Sequence, residues 1–202
     1  MKIDHGLMPG QFLQRQPRGA RAAITGTCKT TGDIYATIYK GKRPLKGKKA
    51  QRIGSASDGH FNAFLAGVPS GGPYRVELTC GKERTAVKDV YVGDLWLMAG
   101  QSNMQGMGNI IDAEKPHPMV RNFTMARTWT MAKDPLHFLD ESPDRVHTVA
   151  TLPPKRAAAT KRKALKGVSA GVTFGKEMYR RSGVPQALIA TAHGGTSMAQ
   201  WD

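Results

Sequence analysis

At 202 residues with 40% hydrophobic content, the chain holds enough apolar material for one large domain or two small ones, which excludes global disorder. No apolar run reaches the roughly 18 residues of a membrane span, and two cysteines, Cys28 and Cys80, cannot make a disulfide framework. The formal net charge of +15 is concentrated: Lys40–Arg52 carries seven positive charges and Lys155–Lys166 six, with no acid in either. Neither run holds an aromatic residue for base stacking, so both read as solvated loops and a nucleic-acid partner is not indicated, with a basic polyanion-binding protein kept as the lesser alternative.

In chain order, residues 1 to 90 read as a small β-sandwich-like domain. Met1–Gly6 lacks the apolar stretch of a secretory signal, although a start placed too late would look the same, so localisation stays open. Ala22–Cys28 and Ile34–Lys40 are β-branched and aromatic runs, and Thr30–Asp33 between them predicts a hairpin. Further strands are expected at Gly59–Leu65 and Tyr74–Cys80, with Thr85–Val92 leading onward. The two cysteines are expected as free, buried or half-buried thiols, and a single bridge between two strands is the alternative. No titratable cluster appears in this half, and no Cys/His spacing suggests a metal site.

Residues 91 to 202 read as an α/β domain with a parallel sheet. Leu95–Ala99 is a continuous apolar run of strand length that enters the turn Gly100-Gln101-Ser102-Asn103. A serine just past a buried strand and before a helix start is where an α/β hydrolase displays its nucleophile. The spacing is not the G-x-S-x-G elbow, and taken alone the pattern reads as a helix cap. A strand is expected at Met119–Met125. Trp129–Lys166 reads as one long loop without periodicity. A helix follows over Ala170–Ser182, with Ser169 as N-cap, Arg180 and Arg181 in its last turn, Gly183 at C′ and Pro185 beyond. Gln186–Thr191 then forms a buried strand into the Gly194-Gly195 turn. Both turns therefore fall at carboxyl ends of strands, where they can meet.

Gly93-Asp94-Leu95-Trp96-Leu97-x-x-Gly100-Gln101-Ser102-Asn103-Met104 resembles the first block of the sialate O-acetylesterase-type carbohydrate esterases, a branch of the SGNH hydrolases. Gly194-Gly195-Thr196-Ser197-Met198-Ala199-Gln200-Trp201 resembles their Gly-Gly-Thr-x-x-x-x-Trp block. Leu13-Gln14-Arg15, Gly71–Tyr74, Phe174–Glu177 and Gly183–Pro185 with Ile189 are similar to the family in the same order. The resemblance implies a three-layer SGNH-type α/β domain behind the β-rich one, acting on O-acetylated carbohydrate with no cofactor. It implies Ser102 as nucleophile, with Gly194 or Gly195 giving an oxyanion donor beside the serine's own N–H. Gln101, Asn103 and Thr196 fall in the same oxyanion and substrate-binding blocks, and Trp201 is expected to brace the turn or line the pocket.

The family's base is a histidine in an Asp-x-x-His block near the carboxyl end, and a Gln-Gly-Glu segment supplies a further donor. Both are read as absent from these residues. His193 is not expected to replace the base, and His117, His137 and His147 are expected at the surface. The chain thus reads as the amino-terminal part of an esterase, poorly active alone, or as a scaffold that binds sugar without turnover. Which sugar, and the oligomeric state, are left open.

Overall fold

The computed structural model describes residues 1–148 and 150–200. It is a mixed α/β structure in which strands dominate and helices are few. Two compact units divide it, Met1–Asp94 and Leu95–Asp202.

The first unit is built from β1 (Lys2–His5), β2 (Phe12–Gln14), β3 (Ala20–Thr27), β4 (Gly32–Lys40), β5 (Arg43–Pro44), β6 (Gln51–Ser57), β7 (His60–Val68), β8 (Gly71–Cys80) and the first part of β9 (Glu83–Met98). Alternate residues of a strand face opposite sides, and here one side is consistently apolar. Ile34, Ala36 and Ile38 of β4, Phe61, Ala63 and Leu65 of β7, and Tyr74, Val76 and Leu78 of β8 enter one core. The strand order is β1-β3-β7-β6-β4-β8-β9, with β2 running parallel to β9.

This order overturns the predicted hairpin. β3 pairs with β1 and β7, while β4 pairs with β6, β8 and the short β5. The Thr30–Asp33 segment therefore crosses between non-adjacent strands. It is tied by Glu83, whose carboxylate accepts the Thr30 N–H at 2.7 Å and pairs with the Met1 ammonium at 2.5 Å. These contacts hold the Glu83 pKa down to about 2. Cys28 and Cys80 are both free and buried. The Cys28 thiol donates to Glu83 at 3.3 Å, and burial pushes its pKa up to about 11.

In the second unit, β9 ends at Met98 and the chain turns into α1 (Ser102–Gln105). There follow β10 (Gly108–Asn109), β11 (Val120–Phe123), β12 (Trp129–Met131), α2 (Pro154–Arg162), β13 (Lys166–Val168), α3 (Gly171–Ser182) and β14 (Gln186–Ala190). β14 lies between the end of β9 and β11. It runs parallel to β11, with Val120 opposite Gln186 and Phe123 opposite Ile189. Trp96 Nε1 donates to the buried Gln186 Oε1 at 2.7 Å, which satisfies a polar group that would be costly to bury alone.

α3 buries Gly171, Val172 and Gly175, four-residue spacing that puts small residues on one face. A Cβ at Gly175 would come within 2.6 Å of Val120 Cγ1, so the glycine lets the helix settle onto β11. The predicted helix is present one residue shorter. Ala170 is the residue at its cap, and Ser169 contributes by accepting the Gly171 N–H at 3.2 Å. Gly183 closes it at φ 66°, its N–H donating to Tyr179 O at 2.8 Å. Trp129–Lys166 is not a single loop. It holds β12, a 3-10 turn at Leu139–Glu141 and α2, which starts on Pro154 and runs through Ala157-Ala158-Ala159. Proline at the first helical position and the alanine run outweigh the positive charge that argued for a loop. Among the described residues no helix is long and apolar enough to cross a membrane.

Candidate active site

Ser102 is the first residue of α1, four residues past the end of β9. Gly100 makes the bend at φ 140°, a backbone region that strains any side chain. Gly106 ends the short helix at φ 116° and its N–H donates to Ser102 O at 2.9 Å. A Cβ at Gly106 would stand 2.5 Å from Gly167 O, so the turn rests directly on the backbone of β13.

The second turn leaves β14 and is bonded to the first in three places. Thr191 Oγ1 donates to Met98 O at 3.0 Å, His193 N–H to Gly100 O at 3.0 Å, and Gly194 N–H to Gln105 Oε1 at 2.6 Å. A Cβ built on Gly194 would lie 3.8 Å from both Cα and Cβ of Ser102. The two blocks singled out in the sequence thus form one surface. Gly195 follows at φ 80° with open space where a side chain would be. Thr196 Oγ1 donates to His193 O at 2.8 Å, bracing the turn from behind. Gln101 and Asn103 are exposed on either side of the half-buried Ser102. Trp201 lies outside the described residues.

Gln105 was not picked out by sequence reasoning. It sits three residues after Ser102, on the same face of α1, and its side chain occupies the Gly194 N–H. The available signal was a glutamine at i+3 from the serine, which carries no pattern of its own.

No described residue hydrogen-bonds Ser102 Oγ. His193 is engaged elsewhere: its Nδ1 is 3.1 Å from Nδ1 of His147. Burial, then the neighbouring His193, lowers the His147 pKa. His117 is half-buried, its Nδ1 accepting the Met119 N–H at 3.2 Å and its ring against Tyr179.

Two expectations need correction. The chain does contain Asp-x-x-His, twice: Asp134-Pro135-Leu136-His137, and Asp144-Arg145-Val146-His147, in which the His147 N–H donates to Asp144 O at 3.0 Å. His137 is not at the surface: it is 4% exposed, and Asp134 5%. Asp134 Oδ1 accepts the Ser169 N–H at 3.4 Å, while Oδ2 is buried without a partner. Neither ring nitrogen of His137 makes a hydrogen bond of normal geometry. Both groups lose solvation, with opposite results. Burial raises the Asp134 pKa to about 6 from 3.8, and lowers that of His137 to about 4 from 6.5.

The two shifts oppose one another in stability. Between about 4 and 6, native Asp134 binds more protons than the unfolded chain, so its contribution falls as pH rises through that window. Between about 4 and 6.5, native His137 binds fewer, so its contribution grows as pH rises. In urea melts across this range, Asp134→Asn should make the slope of unfolding free energy against pH more positive than in the native sequence and His137→Phe more negative; identical slopes in all three would refute the assignment.

The chain belongs to the carbohydrate esterases. Within them, the sialic acid-specific acetylesterase family matches residues 92–202, the segment that holds both turns. Human sialate O-acetylesterase is 28% identical over 195 residues, covering 94% of this chain and 36% of its own length. The rat sialate O-acetylesterase is 33% identical over 97 residues, 46% of this chain and 17% of that protein. The chain thus spans 36% of the human relative it matches. A crystal structure of a carbohydrate acetylesterase from Xanthomonas citri aligns over 99% of this chain and 42% of its own, with TM-score 0.55 and 20% identity, a likeness of fold.

Proposed function

We propose that residues 91–202 are an SGNH-type three-layer α/β domain, that residues 1–90 are a β-sandwich-like companion, and that Ser102 is the nucleophile of an O-acetylated-carbohydrate esterase, with acetylated sialic acid among its substrates. One observation carries this reading: the Ser102 turn and the Gly194-Gly195 turn abut, with a Cβ position at Gly194 3.8 Å from Ser102 Cβ, in a chain of the acetylesterase family.

In the proposed reaction Ser102 Oγ attacks the acetyl carbonyl carbon and gives its proton to a base. The resulting oxyanion takes hydrogen bonds from backbone donors aimed at it. Because the Gly194 N–H already serves Gln105 at 2.6 Å, the donors assigned are the Ser102 N–H and the Gly195 N–H. Gly194 provides close approach, and Thr196 steadies the turn. The proton returns to the departing sugar oxygen, and water then releases acetate from the acetyl-serine. No cofactor takes part in this scheme. Since no described residue engages Ser102 Oγ, the base is proposed to come from outside the described residues. The same observation favours a second reading, in which these residues hold acetylated sugar without turnover.

A fluorophosphonate probe followed by peptide mass spectrometry tests the first reading. Modification is expected on the peptide that carries Ser102 and is expected to vanish in Ser102→Ala. Modification of other serines alone would end the nucleophile assignment and leave the binding reading.

A further inference from the structure

We propose that His147 is a positioning residue for the esterase reaction: through a ring-to-ring hydrogen bond it fixes His193, and with it the turn that presents the Gly195 N–H to Ser102. The inference rests on Ser102 being the nucleophile, as proposed above.

His193 opens the second turn and is tied on three sides. Its N–H donates to Gly100 O at 3.0 Å, its carbonyl accepts the Thr196 hydroxyl at 2.8 Å, and its Nδ1 lies 3.1 Å from Nδ1 of His147. The first bond reaches the serine turn, the second spans Gly194 and Gly195, and the third leaves the turn for a distant segment. Gly195 has open space where a side chain would be, so no side chain anchors it there and its placement depends on the bonds of its neighbours.

His147 can serve as the fixed end because its own segment is anchored. Its N–H closes a turn on Asp144 O at 3.0 Å, and Asp144 pairs at 2.6 Å with Arg127, between β11 and β12. The Asp144 N–H donates to Oγ of Ser142, which is 1% exposed. Ser142, Asp144 and His147 line a cavity of about 150 Å³ together with Phe123, the last residue of β11, and Ala190, the last of β14. The segment therefore sits at the carboxyl ends of parallel strands, where an open α/β sheet binds its ligands.

In a contact of 3.1 Å between two ring nitrogens, one Nδ1 carries the proton and the other offers its lone pair. The bond survives with at most one ring charged, because two imidazolium rings both carry Nδ1–H and repel. Burial and then the His193 ring lower the His147 pKa, and Asp144 pulls it the other way. The other titratable groups around the pair are Arg127, bound to Asp144, and Asp140, which accepts the Thr148 hydroxyl at 3.5 Å. Buried His137 faces His147 as well, with Lys161 beyond it. The link should hold at neutral pH and open in acid, below the ordinary imidazole value of about 6.5.

The test uses the uniformly 15N-labelled 202-residue chain. At neutral pH a cross-hydrogen-bond 15N–15N coupling should join Nδ1 of His147 to Nδ1 of His193. Acid should abolish it below about pH 6.5 and, in the same step, shift the Gly195 and Thr196 amides but not the Val76 amide of the first unit. His147→Asn is the conservative arm. A carboxamide can donate or accept, so those two amides should keep their neutral positions through acid, without the step. His147→Leu should hold them at the released positions at every pH. The fluorophosphonate should label Ser102 about 10- to 100-fold more slowly in His147→Leu than in the native chain, and near the native rate in His147→Asn. Absence of the coupling, or an acid step that persists unchanged in His147→Asn, overturns the proposal, and so does equal labelling in all three. If His147→Leu does not fold, the native coupling and the His147→Asn titration decide. If native Ser102 is not labelled at all, the nucleophile reading fails, and the spectra alone decide whether His147 holds the turn.

Discussion

Fused to a carboxyl-terminal segment that carries an Asp-x-x-His base, these residues are expected to hydrolyse a chromogenic acetyl ester about 10²- to 10⁴-fold faster than the 202-residue chain alone. The reason is the state of Ser102. Its hydroxyl has no hydrogen-bond partner among the described residues, and an unassisted serine is a weak nucleophile. His193 is committed to His147 at 3.1 Å, and His137 is buried. Nucleophile and base act as a unit, so Ser102→Ala should remove the whole gain in the fused protein while changing the short chain only slightly. Strong turnover by the short chain, abolished by Ser102→Ala, would mean an internal base and would end this proposal while leaving the ester-hydrolase assignment intact.

The second large effect is expected from Gly106→Ala. The added Cβ would stand 2.5 Å from Gly167 O, 2.8 Å from Gly167 C and 3.0 Å from Val168 C, all backbone atoms. They belong to β13, which is itself paired with β10 and cannot step aside cheaply. The φ of 116° adds conformational strain on top of the clash. Together these should cost about 2–4 kcal/mol of unfolding free energy in chemical denaturation. Gly183→Ala is the control. Gly183 has φ 66° and open space around it, so only the left-handed penalty of about 1 kcal/mol applies. Equal costs at the two glycines would mean that the Gly106 contact is not the tight one described.

Local signals were the legible part of this chain. α3 was readable because its stop is chemical: Gly183 can adopt the left-handed angle and Pro185 forbids continuation. The turns at Ser102 and Gly194 were readable because each glycine-bearing segment follows an apolar run. Pairing was not readable in the same way. Thr30–Asp33 has the composition of a hairpin turn, yet β3 finds its partners in β1 and β7, because pairing depends on segments far away in sequence. α2 was hidden by its charge, since a helix with only Ala157 buried has no apolar stripe to reveal it. His137 was hidden for the opposite reason. A histidine among Pro, Leu and Phe carries no periodicity, and only the folded chain shows it buried.

The three bonds from Thr191, His193 and Gly194 to Met98, Gly100 and Gln105 also bear on the order of events as the chain is made. The serine emerges from the ribosome about 90 residues ahead of the glycines that face it. Until β14 docks, neither the Gly194 turn nor its grip on Gln105 exists. Closing so long a loop is slow relative to local turns, so the nascent chain displays Ser102 for some time without its counterpart. The Ser102 hydroxyl thereby stays without its facing turn until the Gly194 segment has been made.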